Sequence, residues 1–152
     1  MIPPKKILCP TDFSEPSYDG LAAAVELATH FSADLTILHV VSAPQPVTAG
    51  GGAPVFDYAG YLNEMTTSAE NGIEEMIRDK VPEGLPVSSD VLEGNPADQI
   101  VAYAKEHQID MIVMATHGLT GWRRFIFGSE AEKVVRLSEC PVLTIPAPDE
   151  DD

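Results

Sequence analysis

The chain has 152 residues, of which 44% are hydrophobic and 22% charged, a length and composition typical of one globular domain with a substantial core. Its formal net charge of −15 disfavours binding to nucleic acid or to an anionic membrane surface. No apolar run approaches the roughly 20 residues of a membrane-spanning helix, and the N-terminus lacks the apolar stretch of a signal peptide.

In the first half of the chain, apolar strand patterns alternate with an amphipathic helix pattern. Lys6–Pro10 is a predicted strand, and Ser14 is a predicted N-cap of the helix that follows. Residues 35–41 are nearly continuously apolar, as expected for a buried parallel strand. Residues 42–57 are rich in Pro, Gly and Ala and form a long connection, which is typical of a lid or a mobile loop.

The second half continues the alternation. A helix is predicted over 58–80, and strands over 87–92, Met111–Ala115 and 141–145. The polar middle of 87–92 indicates a sheet edge. The inward positions of the 58–80 helix are expected to be Leu62, Met65, Ala69, Ile73, Met76 and Ile77.

Helix starts are predicted from capping signals. Asn95 and Pro96 are expected to open one helix as N-cap and first residue. Residues 129–132 have the pattern of a capping box led by Ser129, which predicts a last helix running to about Ser138. We expect one domain over residues 1–146 and a mobile acidic tail over 147–152.

The strand and helix order predicts an α/β fold, a single-domain open parallel sheet with helices on both faces. Ligands of such sheets bind at the carboxyl ends of the strands, near the point where strand order reverses. If the first and fourth strands are neighbours, Asp12 lies beside the turn at Ala115–Gly118. Asp12 is then a candidate for sugar hydroxyls, for an Asx turn that opens the helix, or for both.

The segment from Ala115 to Ser129 has the chemistry of an anion site. Gly118 and Gly128, with a helix start at Ser129, bring backbone N–H groups together as phosphates require. Neither a P-loop nor a GxGxxG motif is present. Basic residues flank the segment. Arg123 and Arg124 favour an anion, whereas Lys133 and Arg136 fit an anion or a solvated helix face equally well.

The candidate catalytic and redox residues are few. His117 lies beside the glycine turn without a nucleophile of recognisable spacing, and His39 is expected to be a satisfied core histidine. No cluster with metal-ligand spacing is found. Cys9 and Cys140 favour two free thiols over a redox pair, which fits a cytoplasmic protein.

Several motifs, in order and with matching spacing, resemble the universal stress protein family. They lie at residues 5–15, 38–40, 94–96, 110–118 (Asp-Met-Ile-Val-Met-Ala-Thr-His-Gly), 128–129 and 140–143. The resemblance implies an adenine nucleotide alpha hydrolase-like fold of five parallel strands in the order 3-2-1-4-5. It also implies a homodimer in which the last strands, Val142–Ile145, pair antiparallel.

ATP-binding members of this family have the pattern Gly-x2-Gly-x9-Gly-Ser/Thr. Gly118, the nine residues 119–127, Gly128 and Ser129 match it, but Ala115 stands where the family has its first glycine. The added methyl group could crowd the approach of the ribose or the α-phosphate.

The resemblance also implies residue roles around ATP. Pro10, Thr11 and Val40 would line the adenine, Asp12 would meet the ribose, and Met114, Ala115 and His117 would form the turn near it. Gly118, Gly128, Ser129 and the backbone of Glu130 would hold the phosphates. The Glu130 carboxylate would repel them, and Mg²⁺ on the phosphates would offset that repulsion. Ser129 is either a phosphate ligand or purely an N-cap.

The resulting hypothesis is a dimeric stress-response regulator that binds ATP or a related adenine nucleotide. ATP would order residues 42–57 and 119–127, and Trp122 and Phe125 would either contact a protein partner or pack on the sheet edge. The alternative is a dimeric partner-docking module without nucleotide. A third reading, a slow ATP hydrolase, lacks an identifiable catalytic base.

Overall fold

A computed structural model describes residues 3–42, 57–117 and 128–147. The strands are β1 (Lys6–Pro10), β2 (Asp34–Val41), β3 (Val87–Glu93), β4 (Met111–Ala115) and β5 (Val142–Ile145). The helices are α1 (Glu15–Phe31), α2 (Tyr58–Lys80), α3 (Pro96–Glu106) and α4 (Ser129–Leu137). The strands are parallel throughout and form one sheet in the order β3-β2-β1-β4-β5. The predicted α/β fold and strand order are confirmed.

Two apolar cores cover the two faces of the sheet. Neighbouring residues of β1 point to opposite faces, so that Leu8 joins one core and Ile7 the other. In the first, called here the α3/α4 core, Ile100 and Val134 pack on the sheet. In the second, the α1/α2 core, Leu21, Ala28 and Ile73 do so. Helices on both faces explain why the central strands are apolar on both sides.

Two of the predicted helix caps are confirmed. Ser14 caps α1 by accepting a hydrogen bond from the Ser17 N–H, and Asn95 caps α3 by accepting one from the Asp98 N–H. The inward position predicted for Met65 is wrong, because its side chain is 40% exposed. The buried residues of α2 begin only at Ala69, and Ile73 and Met76 belong to the α1/α2 core.

β3 is an edge strand, as its polar sequence predicts, and Ser88, Ser89 and Asp90 are exposed on it. Among the helices that the structure describes, none is long and apolar enough to cross a membrane.

Candidate functional site

The strand register places the ends of β1 and β4 side by side. Ile7 pairs with Met111 and Leu8 with Ile112, so Pro10 and Met114 are level where the two strands end. Strand order reverses between β1 and β4, because the chain runs outward from β1 through β2 to β3 and then crosses back to β4. The predicted crevice therefore lies at the switch point, the usual ligand position in open parallel sheets.

The loop from β1 to α1 is held by its own polar side chains. Asp12 Oδ1 accepts a hydrogen bond from the Ser14 N–H at 3.0 Å and is also bonded to the Ser14 hydroxyl. This is the Asx turn predicted for Asp12. Thr11 is buried, and its Oγ1 accepts from the Phe13 N–H at 3.1 Å and lies 3.1 Å from Ser17 Oγ. The Thr11 hydroxyl is thus committed to the loop itself.

Phe13 and His39 pack together and support this loop. Sequence reasoning did not assign either side chain to the site. Phe13 has a φ of 61°, and its ring lies 4.7 Å from that of His39. His39 Nδ1 lies 2.7 Å from the Thr11 carbonyl oxygen, to which it donates. His39 is therefore a satisfied histidine, as expected, but it is half-buried and next to the crevice.

The other wall of the crevice is the end of β4. Met114 is buried in the α3/α4 core, so strand alternation turns the Ala115 side chain toward the α1/α2 face, as it does for Val113. On that face Gly20 of α1 lies against the strand, and a Cβ added there would be 3.1 Å from the Ala115 nitrogen. The Ala115 methyl group therefore lies on the face opposite to α4.

His117 follows this turn with one nitrogen engaged. Its Nδ1 lies 2.9 Å from Thr116 Oγ1. Its Nε2 is buried and has no hydrogen-bond partner within the described ranges. This atom can donate to or accept from a group entering the crevice.

Gly128 joins the start of α4 to the end of β4. Its N–H donates to the Thr116 carbonyl at 2.8 Å, and an added Cβ would lie 2.9 Å from the same oxygen. Gly128 is also the N-cap, since its carbonyl accepts from the Glu132 N–H. The capping box led by Ser129 is therefore wrong: contact with Thr116 moves the cap one residue earlier, and the exposed Ser129 becomes the first helical residue.

The first turn of α4 lacks a side-chain cap. In α1, α2 and α3, side-chain oxygens of Ser14, Asp57 and Asn95 accept from first-turn N–H groups, whereas α4 has no such bond. Within the described ranges no side chain bonds to its first N–H groups, and these groups with the positive end of the helix dipole form the kind of site that binds an anion. Ser129 is thus not an N-cap, and its hydroxyl can serve a phosphate.

The side chains of Glu130 and Lys133 point to α3. Glu130 Oε2 accepts from the Ala97 N–H at 2.9 Å, and Lys133 Nζ lies 2.9 Å from Asp98 Oδ1. Lys133 thus forms an ion pair between helices, which neither interpretation from the sequence anticipated. Neither contact has a local sequence signal.

The remaining predicted residues divide by position. Pro10 is half-buried and Val40 is buried, both near the carboxyl edge of the sheet. Arg136 is exposed on α4. No group of three or more metal-ligating side chains lies within residues 3–42, 57–117 and 128–147. Gly118, Trp122, Arg123, Arg124 and Phe125 fall outside the described residues.

Comparisons with known proteins agree with this architecture. The sequence model described as "Universal stress protein family" matches residues 3–146. A universal stress protein of Methanocaldococcus jannaschii is 32% identical over 145 residues, which cover 95% of this chain and 83% of the relative.

Solved structures show the same fold. Universal stress protein UspA from Lactobacillus plantarum superposes with a TM-score of 0.79 at 27% identity, covering 93% of this chain and 97% of that one. A universal stress protein from Archaeoglobus fulgidus in complex with dAMP has the same fold, with a TM-score of 0.57 at 23% identity over 95% of this chain and 99% of that one. With a family match across nearly its whole length, the chain belongs to the universal stress protein family.

Proposed function

We propose that this protein binds an adenine nucleotide, ATP in the first place, in the crevice between the ends of β1 and β4. The observation that carries the proposal is the first turn of α4, which has no side-chain cap and is bonded through Gly128 to the end of β4. Backbone N–H groups in this arrangement form an anion site without a P-loop.

The phosphates would contact the start of α4. The N–H groups of Ser129 and Glu130 belong to its first turn, and the Ser129 hydroxyl is exposed beside them. Gly118 would complete the phosphate contacts. Mg²⁺ would be carried on the phosphates, where it neutralises their charge.

The adenosine would lie toward β1 and β2. Pro10 and Val40 offer apolar surface near the carboxyl edge, and Asp12 supplies a carboxylate for the ribose while its Oδ1 holds the turn. Thr11 would line the adenine site without a hydrogen bond from its hydroxyl, because that hydroxyl is bonded within the loop. His117 Nε2 and the backbone at Ala115 would border the ribose. The dAMP complex of the Archaeoglobus protein supports an adenine nucleotide as the ligand class.

The departure at Ala115 is compatible with this arrangement. Its methyl group points to the α1/α2 face, whereas the phosphates would be held by α4 on the other face. The alanine therefore adds volume on the side of Gly20 and not at the start of α4.

The proposed assembly is a homodimer through β5, acting as a regulator of the stress response. β5 is the last strand of the sheet, and Leu143 on it is 39% exposed. Val135 and Leu137 of the neighbouring α4 are also exposed. Both cysteines are free, which supports the proposed cytoplasmic location.

Calorimetric titration of the purified protein with ATP in Mg²⁺ tests the proposal. We expect saturable binding, and we expect Gly128→Val to abolish it, because the new side chain cannot fit against the Thr116 carbonyl. Ala102→Val, at an exposed position of α3, is the control for the added volume and should bind normally.

Cooperative thermal unfolding of each variant checks that it is folded. A wild-type protein that neither binds ATP nor is stabilised by it at millimolar concentration would contradict the proposal and favour a docking module without nucleotide. Unaltered affinity in a folded Gly128→Val variant would place the phosphates elsewhere.

A further inference from the structure

We propose that Glu130 is a positioning residue for phosphate, whose side chain fixes the first turn of α4 by binding the first turn of α3. The inference rests on the proposed function, since it concerns the same phosphate-binding turn. It assigns the Glu130 side chain a role distinct from that of its own backbone N–H.

The contact uses a backbone N–H in the first turn of α3 that the N-cap residue Asn95 does not bind. Pro96, the first residue of α3, has no N–H, and the Asp98 N–H donates to Asn95 Oδ1 at 3.1 Å. The Ala97 N–H between them donates to Glu130 Oε2 at 2.9 Å. The carboxylate thus completes the α3 cap from a position 33 residues away.

A second contact on the same face of α4 fixes the orientation of the helix. Lys133, three residues after Glu130, places Nζ 2.9 Å from Asp98 Oδ1. Ala97 of α3 and Ala131 of α4 are small side chains buried in the same α3/α4 core, at 0% and 3% exposure. With the bond from Gly128 to Thr116, the start of α4 is held at both the sheet and α3.

This arrangement also places the negative charge of Glu130 at the start of α3. The carboxylate lies at the positive end of the α3 dipole, where it is stabilised. Its own backbone N–H stays in the first turn of α4, which has no side-chain cap. One residue can therefore present a donor to phosphate while its side chain binds elsewhere.

Two substitutions at Glu130 separate the effect of its hydrogen bond to the Ala97 N–H from the effect of its negative charge. Glu130→Gln and Glu130→Ala both remove the negative charge, but only glutamine keeps an oxygen that can accept from the Ala97 N–H. We expect Glu130→Ala to bind ATP about fivefold more weakly than Glu130→Gln, the effect of one hydrogen bond. Adenosine, which has no phosphate, should bind both variants equally.

The matched control is the same pair of substitutions at Glu132, an exposed acid in the same turn. Glu132→Gln and Glu132→Ala should bind ATP with equal affinity. Thermal unfolding of all four variants confirms that each is folded at the titration temperature.

The outcomes distinguish this inference from the proposed function. If the wild-type protein binds ATP and the two Glu130 variants bind it equally, the positioning role is refuted. An equal loss for adenosine and ATP in Glu130→Ala would also refute it, since general loosening of the fold would then be the cause. If the wild-type protein binds neither ligand, the proposed function fails and the inference fails with it.

Discussion

At the scale of single residues, Gly128 is a glycine in an ordinary backbone conformation, whereas Phe13 is a bulky residue with a positive φ. Gly128 has a φ of −55° and a ψ of 144°, which other residues adopt easily. Glycine is needed there for space, because an added Cβ would lie only 2.9 Å from the Thr116 carbonyl oxygen. Phe13 has a φ of 61° although it carries a large side chain.

The conformation of Phe13 costs on the order of 1–3 kcal/mol and must be maintained by its surroundings. Its ring packs beside His39 and against Gly72 of α2, where an added Cβ would lie 3.0 Å from a ring atom. Packing from β2 and α2 therefore supports the loop that carries Asp12. The loop between β1 and α1 therefore depends on packing from two elements to which it is not directly connected.

The two cysteines are expected to differ in reactivity. Cys9 is fully buried, and burial raises the pKa of its thiol from 9.0 to about 12, so it forms almost no thiolate near neutral pH. Cys140 is half-buried. With an aromatic disulfide reagent at pH 8 we expect one thiol to react in the native protein and both to react in denaturant.

Cys140→Ser identifies the reacting group. In that variant the fast native reaction should disappear, while the slow thiol remains. Rapid reaction of both thiols in the folded wild-type protein would contradict the buried position of Cys9.

At the scale of elements, Asp110 joins the starts of the two strands that border the crevice. Its Oδ2 accepts from the N–H groups of Lys5 and Lys6 at 2.8 and 2.9 Å. The Lys5 N–H, opposed by partial burial and assisted by the Lys6 N–H, holds the pKa of Asp110 below its ordinary value. The ionised carboxylate thus stabilises the folded state.

We expect Asp110→Ala to lower the free energy of unfolding by about 1–3 kcal/mol at pH 7, since two bonds to a charged acceptor are lost. A lowered pKa contributes stability above the ordinary carboxyl value of about 4, and this contribution is lost as pH falls through the folded-state value. Urea unfolding from pH 7 downward should show the difference between wild type and variant shrinking in acid.

Asp34→Ala, at an exposed position at the start of β2, serves as the control and should have a small effect. A difference between wild type and Asp110→Ala that is the same at every pH would show that the carboxylate charge is not responsible.

Most elements could be predicted because their signals are local. Ser14 and Asn95 cap their helices through bonds to residues three positions along, and the 58–80 helix was located from periodicity alone. The cap predicted at Ser129 is wrong because the deciding partner, Thr116, lies directly after β4 and not near Ser129 in the sequence. Met65 failed because periodicity gives a face but not how far the sheet extends beneath it.

The candidate site divides in the same way. That Asp12 and Ala115 border one crevice follows from strand order, and the strand order followed from the family resemblance. The bond from Glu130 to Ala97 and the support of Phe13 by His39 depend on packing between elements distant in sequence. No spacing in the chain encodes such contacts.

At the scale of the whole molecule, the two sheet edges differ. β5 exposes Leu143, whereas the other edge, β3, exposes Ser88, Ser89 and Asp90. The bonds Ile112 N–H to Pro141 and Thr116 N–H to Ile145 show that alternate residues of β5 bond to β4. The N–H and carbonyl of Thr144 therefore point to the free edge.

We expect Thr144→Pro to convert the proposed dimer to a monomer, because it removes an outward N–H where two copies of β5 would pair. Light scattering coupled to size-exclusion chromatography measures the mass. Ser89→Pro is the matched control, since the Leu35 N–H to Pro86 bond puts the Ser89 backbone on the free edge of β3. A monomeric wild-type protein, or a dimeric Thr144→Pro variant, would contradict pairing through β5.

The polar β3 edge has a consequence for how far such an assembly can grow. Two sheets joined through β5 would leave a β3 strand at each outer end. Addition of another molecule there would bring exposed Asp90 carboxylates and two chains of net charge −15 together. The proposed two-fold pairing would use up the apolar edge of both partners, so that growth would stop at a closed pair and would not continue into a fibre.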